Sequence, residues 1–356
     1  MVGRMRLSAH AATLGLLGLA LIFPQISRAA DAHGALRLST SAGADTNPAR
    51  TFQGSGTQPD GFLSAVGSAQ GEYLNAWAQF IGSYELGIRK FFSHSSNDLV
   101  AQSANGELLF PVAGPWSAGV EARAKDRRGG GQEYTDLVGS AFIELSLNRD
   151  LVIRVRGGGH RFIYRSYFPY SFKSTELGFR ARYRINNRHS AFLFGEGGPR
   201  LFNATAEPNP TTEAPGDPPP RQDFVLVAGI GYRYRGPVSL IFSYSYGRFT
   251  SNSFGQTAFR HRVTATAGIR LPLHWNLLVD GTLQFTTFPD KVFSSPTLLL
   301  VDDENLNSLS LKFVHPLSAH WDFEVHAGVY HARLPGQVVT YEYLRAVAGI
   351  GVTWRL

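Results

Sequence analysis

The sequence predicts an all-β protein, a transmembrane antiparallel up-and-down β-barrel of about sixteen strands (roughly 14–18). Three observations carry the prediction: alternation of apolar and polar residues over long segments, short and long connections taking turns, and the lack of a membrane helix in the body of the chain. The alternation is clearest from Thr257 to Phe288. There Phe259, His261, Val263, Ala265, Ala267, Ile269 and Leu271 fall on one face, and Arg260, Arg262, Thr264, Thr266, Gly268 and Arg270 on the other. After Pro272-Leu273-His274, Trp275, Leu277, Val279, Gly281, Leu283 and Phe285 oppose Asn276, Asp280, Thr282, Gln284 and Thr286. A period of two means strand. Each arm is long enough to cross a bilayer at a tilt, apolar outside and polar inside.

The same reading, applied from Gly34 onward, places strands near 34–44, 61–72, 77–92, 98–111, 116–126, 133–147, 151–165 and 172–185, then 190–202, 223–235, 238–250, 257–271, 275–288, 304–315, 321–333 and 341–356. In 172–185, Leu177, Phe179, Ala181 and Tyr183 alternate with Glu176, Arg180, Arg182 and Arg184. In 190–202, Gly195, Gly197, Gly198 and Pro199 blur the alternation. The short connections are Asn148-Arg149-Asp150, Asn186-Asn187-Arg188-His189, Arg235-Gly236-Pro237 and Pro272-Leu273-His274. The long ones include 45–60, 289–303 and 204–222, the last holding Pro208, Pro210, Pro215, Pro218, Pro219 and Pro220 and reading as extended, solvated chain. Tight turns face the periplasm and long loops the exterior in such barrels, so both termini of the barrel are expected to be periplasmic. Pro111…Trp116, Pro272…Trp275 and Pro316…Trp321 repeat a Pro at a strand end and a Trp at the next strand start. With Trp354, these tryptophans are expected in an aromatic girdle at the periplasmic interface.

Composition narrows the function classes. The chain has 356 residues, 38 Gly, 12% aromatic and 17% charged residues, and a mean hydropathy of −0.11. No Cys is present, which removes disulfides, thiolate metal sites and Cys nucleophiles. A net charge of +7 would suit nucleic-acid binding. Its arginines, however, alternate with apolar residues along strands, so no nucleic-acid partner is expected. At the N-terminus, Arg4 and Arg6, an apolar stretch from Ala11 to Phe23, and the small residues Ser27 and Ala29 read as a signal peptide over 1–29. Residues 30–356 then form a single outer-membrane barrel domain.

The last segment places Leu344, Ala346, Ala348, Ile350, Val352, Trp354 and Leu356 opposite Arg345, Gly349, Gly351, Thr353 and Arg355. It resembles the final strand of Gram-negative outer-membrane β-barrels of the porin-like kind. That resemblance implies outer-membrane lipid and the barrel-assembly machinery as partners; the class usually ends in an aromatic residue, whereas this chain ends in Leu356. A second, fainter resemblance lies in Gly43-Ala44-Asp45-Thr46-Asn47-Pro48. It is similar to the Gly-x-Asp-x-Asn segment that ends the first strand in barrels of exopolysaccharide exporters, which implies periplasmic and inner-membrane polysaccharide export proteins as further partners.

The polar faces taken as inward carry Arg154, Arg156, Arg180, Arg182, Arg184, Arg233, Arg235, Arg260, Arg262 and Arg270, together with Arg37, Arg89, Arg123, Lys125, Lys312 and Arg345. The acids on the same faces are fewer: Glu85, Glu121, Glu144, Glu176, Asp280 and Glu324. A charge facing lipid near the midplane costs about 2–4 kcal/mol, which favours the inward assignment. A lumen lined this way attracts anions; equally, Arg and acid ladders can brace the wall. No catalytic residues, metal or cofactor are assigned. His326 and His331 lie an odd number of residues apart and face opposite sides of a strand, and Gly157-Gly158-Gly159 lies inside a strand, so it is no phosphate loop. The leading functional expectation is a channel for polar, preferentially anionic solutes. The alternatives are a secretion pore for a surface exopolysaccharide, and a structural or docking barrel with a plugged lumen.

Overall fold

The computed structural model describes residues 31–52, 57–209, 217–290, 307–335 and 340–356. The signal peptide expected over 1–29 lies outside them, as does 210–216 of the Pro-rich connection. The chain forms a closed meander of sixteen strands: β1 (Asp31–Asp45), β2 (Asp60–Leu74), β3 (Gln79–Phe91), β4 (Leu99–Ala113), β5 (Trp116–Gly129), β6 (Tyr134–Ser146), β7 (Leu151–Tyr164), β8 (Phe172–Arg184), β9 (His189–Thr205), β10 (Pro220–Arg235), β11 (Val238–Ser251), β12 (Ala258–Arg270), β13 (Asn276–Thr287), β14 (Asn307–Pro316), β15 (Trp321–Pro335) and β16 (Thr340–Arg355). Every neighbouring pair is antiparallel, and β1 closes on β16 from Arg37↔Arg355 to Asp45↔Val347. The all-β up-and-down barrel expected from the sequence is the architecture observed.

Alternation fixes which face is which. Leu38, Leu63, Val155, Leu177, Ile230, Leu283 and Ile350 all point outward and stay exposed, Leu177 by 72%. Apolar surface of this extent around a whole barrel is far beyond what a water-soluble monomer presents, and it suits lipid.

The boundaries shift where backbone chemistry differs from the simple alternation. The strand expected at 190–202 runs from His189 to Thr205, and that expected at 223–235 begins at Pro220, so the Pro-rich connection is shorter than 204–222. Its described flanks are tied down. The Ala206 N–H donates to the Pro219 carbonyl and the Glu207 N–H to Ser253 Oγ. The pairing of β8 with β9 lapses between Ser174↔Arg200 and Leu177↔Gly197, where Pro199 has no N–H to give. The first part of the strand expected at 304–315 lies outside the described residues, and β14 begins at Asn307.

Gly158, midway along β7, shows why a glycine interrupts an otherwise regular strand. A Cβ there would meet the Gly139 carbonyl and lie 2.5 Å from Ser140 Cβ, whereas one at Gly139 on the outward face meets nothing within 4 Å. Gly158→Val should therefore destabilise the barrel by about 1–3 kcal/mol through overpacking. Gly139→Val should be close to neutral. Urea midpoints of the two variants check the contrast, and equal midpoints would refute it.

The first strand ends in a lock on the last. Asp45 is fully buried and receives bonds from Arg345 at 2.6 and 3.0 Å, while Arg89 of β3 approaches to 3.7 Å. Asn47, also buried, donates its N–H to Asp45 Oδ1 and its Nδ2 to the carbonyls of Thr51 and Leu344. A Cβ at Gly43 would collide with the Ala348 carbonyl and with Phe62. The Gly-x-Asp-x-Asn segment thus has a local physical role: it lets β1 approach β16 and closes the sheet with a buried ion pair. Beside it, Phe62, Phe91 and Val347 pack with Tyr330 at the long-loop end of the interior.

Candidate functional site

Register and parity place all ten arginines of the expected anion path on the inward face, and the structure divides them into groups. Arg154 and Arg156 on β7 are engaged by acids. Arg154 donates to both oxygens of Glu107 at 2.9 and 3.0 Å and to Glu144 at 2.9 Å, with its guanidinium 3.9 Å from the centre of the Phe142 ring. Arg156 donates to Glu121 at 2.7 Å and also to Glu196, and Ser140 holds Glu121 from the other side at 2.7 Å. This lattice ties β4 to β9 and realises the wall-bracing alternative at these two residues.

The other eight arginines have few acidic partners. Arg180 stands directly opposite Arg154 across the β7–β8 pair. Because Arg154 leans toward the acids of β4 and β6, Arg180 is left against the Phe192 ring, 5.1 Å from its centre. Arg182, Arg233 and Arg235 carry no ion pair among the described residues. Arg184 reaches Asp150 at 3.3 Å and also bonds the Arg149 carbonyl. On β12, Arg260 lies 4.8 Å over the Phe249 ring, Arg262 has a buried Nε without an acceptor among the described residues, and Arg270 is exposed at the short-turn end.

The cavities follow this division. One of about 490 Å³ is lined by Asn105, Arg123, His160, Glu176 and Arg200, and one of about 720 Å³ by Arg180, Arg182, Phe192 and Arg233. Both share Glu107, Glu121, Arg156 and Glu196, so the ion-pair lattice stands between them. A third, of about 230 Å³ at the short-turn end, gathers Arg149, Arg182, Arg184, Arg188, Arg233 and Arg235 around a single carboxylate, Asp150. The lumen is therefore near charge balance in its middle and strongly basic at one mouth. A guanidinium presents a planar fork that suits carboxylate, sulfate or phosphate, so the arrangement can hold or pass anions.

The sequence reading missed several inward acids, among them Glu107, Glu196, Asp136 and Asp45. Glu107 is followed by Leu108-Leu109-Phe110, which hides the alternation, and Glu196 sits between Gly195 and Gly197. Their signal is the register, since Glu107 faces Glu121 and Glu196 faces Gly178 next to Arg156. Arg200 and Arg221 were missed as well; they stack over Phe172 and Phe202 at 4.9 and 4.0 Å. Of the aromatic residues expected at the interface, Trp116 and Trp321 are exposed on the outward face at the short-turn end. Trp354 pairs with Trp321, and Trp275 packs against His315 at 4.9 Å. Among the described residues no group of three His, Asp or Glu could hold a metal ion.

Fold and interior together define a closed sixteen-strand antiparallel β-barrel with an apolar outer face and a charged interior, the architecture of a membrane-spanning barrel. No family model matches the chain, and no curated protein matches it in sequence. Among solved structures, it is similar to a bacterial polysaccharide outer membrane secretin, with 11% identity and a TM-score of 0.43, covering 93% of this chain and 100% of that one. It is also similar to Salmonella typhi OmpF in complex with daunomycin (10% identity, TM-score 0.49, 92% and 97% covered). A third similarity is to Acinetobacter baumannii OccAB1 (11% identity, TM-score 0.46, 91% and 97% covered).

Proposed function

We propose that the protein is an outer-membrane channel that passes polar, preferentially anionic solutes along an arginine-lined wall. The observation that carries this reading is the cluster of six arginines around one aspartate at the short-turn mouth. Cations that the fold leaves without acidic partners, in a polar interior, raise the local concentration of anions and repel cations. Arg154 and Arg156 brace the wall in this scheme, while Arg180, Arg182, Arg184, Arg233 and Arg235 form the path.

The placement of the cluster favours one refinement. With short turns facing the periplasm, the basic mouth opens toward the periplasm, where it would gather an acidic polymer before release. This supports export of an anionic surface exopolysaccharide over uptake, with periplasmic and inner-membrane export proteins as partners. A docking barrel with a plugged lumen would leave the basic mouth without a role.

Location and topology come first. The mature chain should fractionate with the outer membrane and migrate differently on gels before and after heating; recovery as a soluble periplasmic protein would remove the basis of the reading. A tag inserted at Gly131 should be accessible on intact cells, while one at Asn187 should be hidden, and the reverse pattern would invert the barrel. Function is tested in planar bilayers after oriented insertion. Steady conductance with anion preference is expected, and polygalacturonate added on the short-turn side should block at lower concentration than on the long-loop side. A folded protein that never conducts would favour the docking barrel. Symmetric block would refute the export refinement and leave the channel standing.

A further inference from the structure

We propose that the outward face of β5–β8 at the long-loop end binds a phosphate of the outer-leaflet glycolipid, clasped between Arg161 and Lys173. The proposal rests on the barrel standing in the outer membrane with its long loops outside. Arg161 and Lys173 are direct partners across the β7–β8 pair. Both have odd positions on strands whose even positions face the lumen, so both point outward, and both are exposed. Neither carries an ion pair among the described residues. Like charges directly opposite in an antiparallel pair, with Cβ atoms about 5 Å apart, are destabilising unless something between them is negative.

Among the described residues, no carboxylate on this face is left to supply that charge. Asp126 is occupied by Arg128 at 2.7 Å, Arg165 at 3.1 Å and Thr135 at 2.5 Å. The Glu133 carboxylate turns back to the Gly129 N–H at 3.1 Å. The patch therefore has four cations, Arg128, Arg161, Arg165 and Lys173, around two engaged carboxylates, Asp126 and Glu133.

Its height matches a headgroup. From Leu151, opposite Tyr183 near the short turns, to Arg161 is ten residues along β7. At about 3.3 Å per residue and a tilt of roughly 40°, that climbs about 25 Å, the height of the apolar band of an outer-membrane barrel. Arg161 and Lys173 therefore stand where acyl chains give way to headgroups. Outward Leu137, Leu177 and Leu201 lie alongside or below them to meet the chains, and exposed Tyr167 and Phe168 flank the site from above. A phosphate monoester offers two cations three terminal oxygens and a charge of about −1.5 to −2, more than the two oxygens and single charge of a carboxylate.

The test uses the detergent-purified full barrel and bisphosphorylated lipid A as the probe, with binding read by native mass spectrometry. Wild type should retain the lipid, and Arg161→Glu/Lys173→Glu should weaken binding roughly tenfold or more. Arg248→Glu, which alters an outward arginine at the long-loop end of β11, should leave it unchanged. Excess inorganic phosphate should not displace the lipid. Unchanged affinity in the double variant, an equal loss in the Arg248→Glu protein, or equal capture of dephosphorylated lipid A or phosphatidylglycerol would overturn the proposal. Should the double Glu variant lose its heat-modifiable migration, Arg161→Gln/Lys173→Gln gives the same comparison. Conductance of the same preparations reports on the channel separately, so failure of either reading is visible alone.

Discussion

Asp45→Ala is expected to lower the stability of the barrel by about 3–5 kcal/mol, the range for removing one partner of a buried ion pair. The expected size comes from what would be left behind. Arg345 is only 3% exposed, and its guanidinium reaches Asp45 through both Nε and Nη2. The Asn47 N–H also loses its acceptor, which loosens the segment that bonds Thr51 and the Leu344 carbonyl. The damage falls where the sheet closes, between the first and last strands. Replacing both partners should be milder than the sum of single changes, because Asp45→Ala/Arg345→Met leaves neither charge buried alone. Urea unfolding from lipid vesicles reads both quantities. A loss below about 1 kcal/mol for Asp45→Ala would show that the pair contributes no more than a surface ion pair.

The sequence was most informative where physics repeats. Alternation over sixteen strands makes each inward or outward assignment depend on parity, so Arg154, Arg180, Arg233 and Arg260 could all be placed inside before any coordinates. Lateral partners were another matter. Whether Arg154 faces an anion or a carboxylate depends on Glu107, three strands away and 47 residues earlier, and only the register brings them together. The same holds for Arg180, whose lack of an acid follows from the direction in which Arg154 leans. The Gly-x-Asp-x-Asn segment was legible as a strand end and a resemblance. Its role in closing the barrel needed the β1–β16 pairing, because Asp45 and Arg345 are 300 residues apart. Outward cations gave no alternation signal, since Arg161 and Lys173 occupy positions where an apolar residue was expected.

Arg182→Glu/Arg233→Glu/Arg235→Glu should reverse the ion selectivity of the pore. The three side chains line the basic mouth and carry no ion pair among the described residues, so their exchange exposes no buried acid and breaks no bracing contact. Three positive charges become three negative ones in one cavity, leaving Arg149, Arg184 and Arg188 against Asp150 and three new carboxylates. Folding should survive, because the outward face of Phe179, Ala181, Tyr183, Tyr232 and Tyr234 is untouched and the altered groups meet water. In a salt gradient the zero-current potential should change sign, from anion to cation preference. Both preferences should shrink as salt rises, since the screening length falls from about 10 Å at 0.1 M to about 3 Å at 1 M. Arg154→Gln/Arg156→Gln is the contrasting variant: it removes bracing cations held by Glu107, Glu121, Glu144 and Glu196, and should lower stability more than it alters selectivity. If the triple variant conducts with wild-type selectivity, the basic mouth does not lie on the ion path. If the bracing pair controls selectivity instead, the path runs through the ion-pair lattice at mid-height.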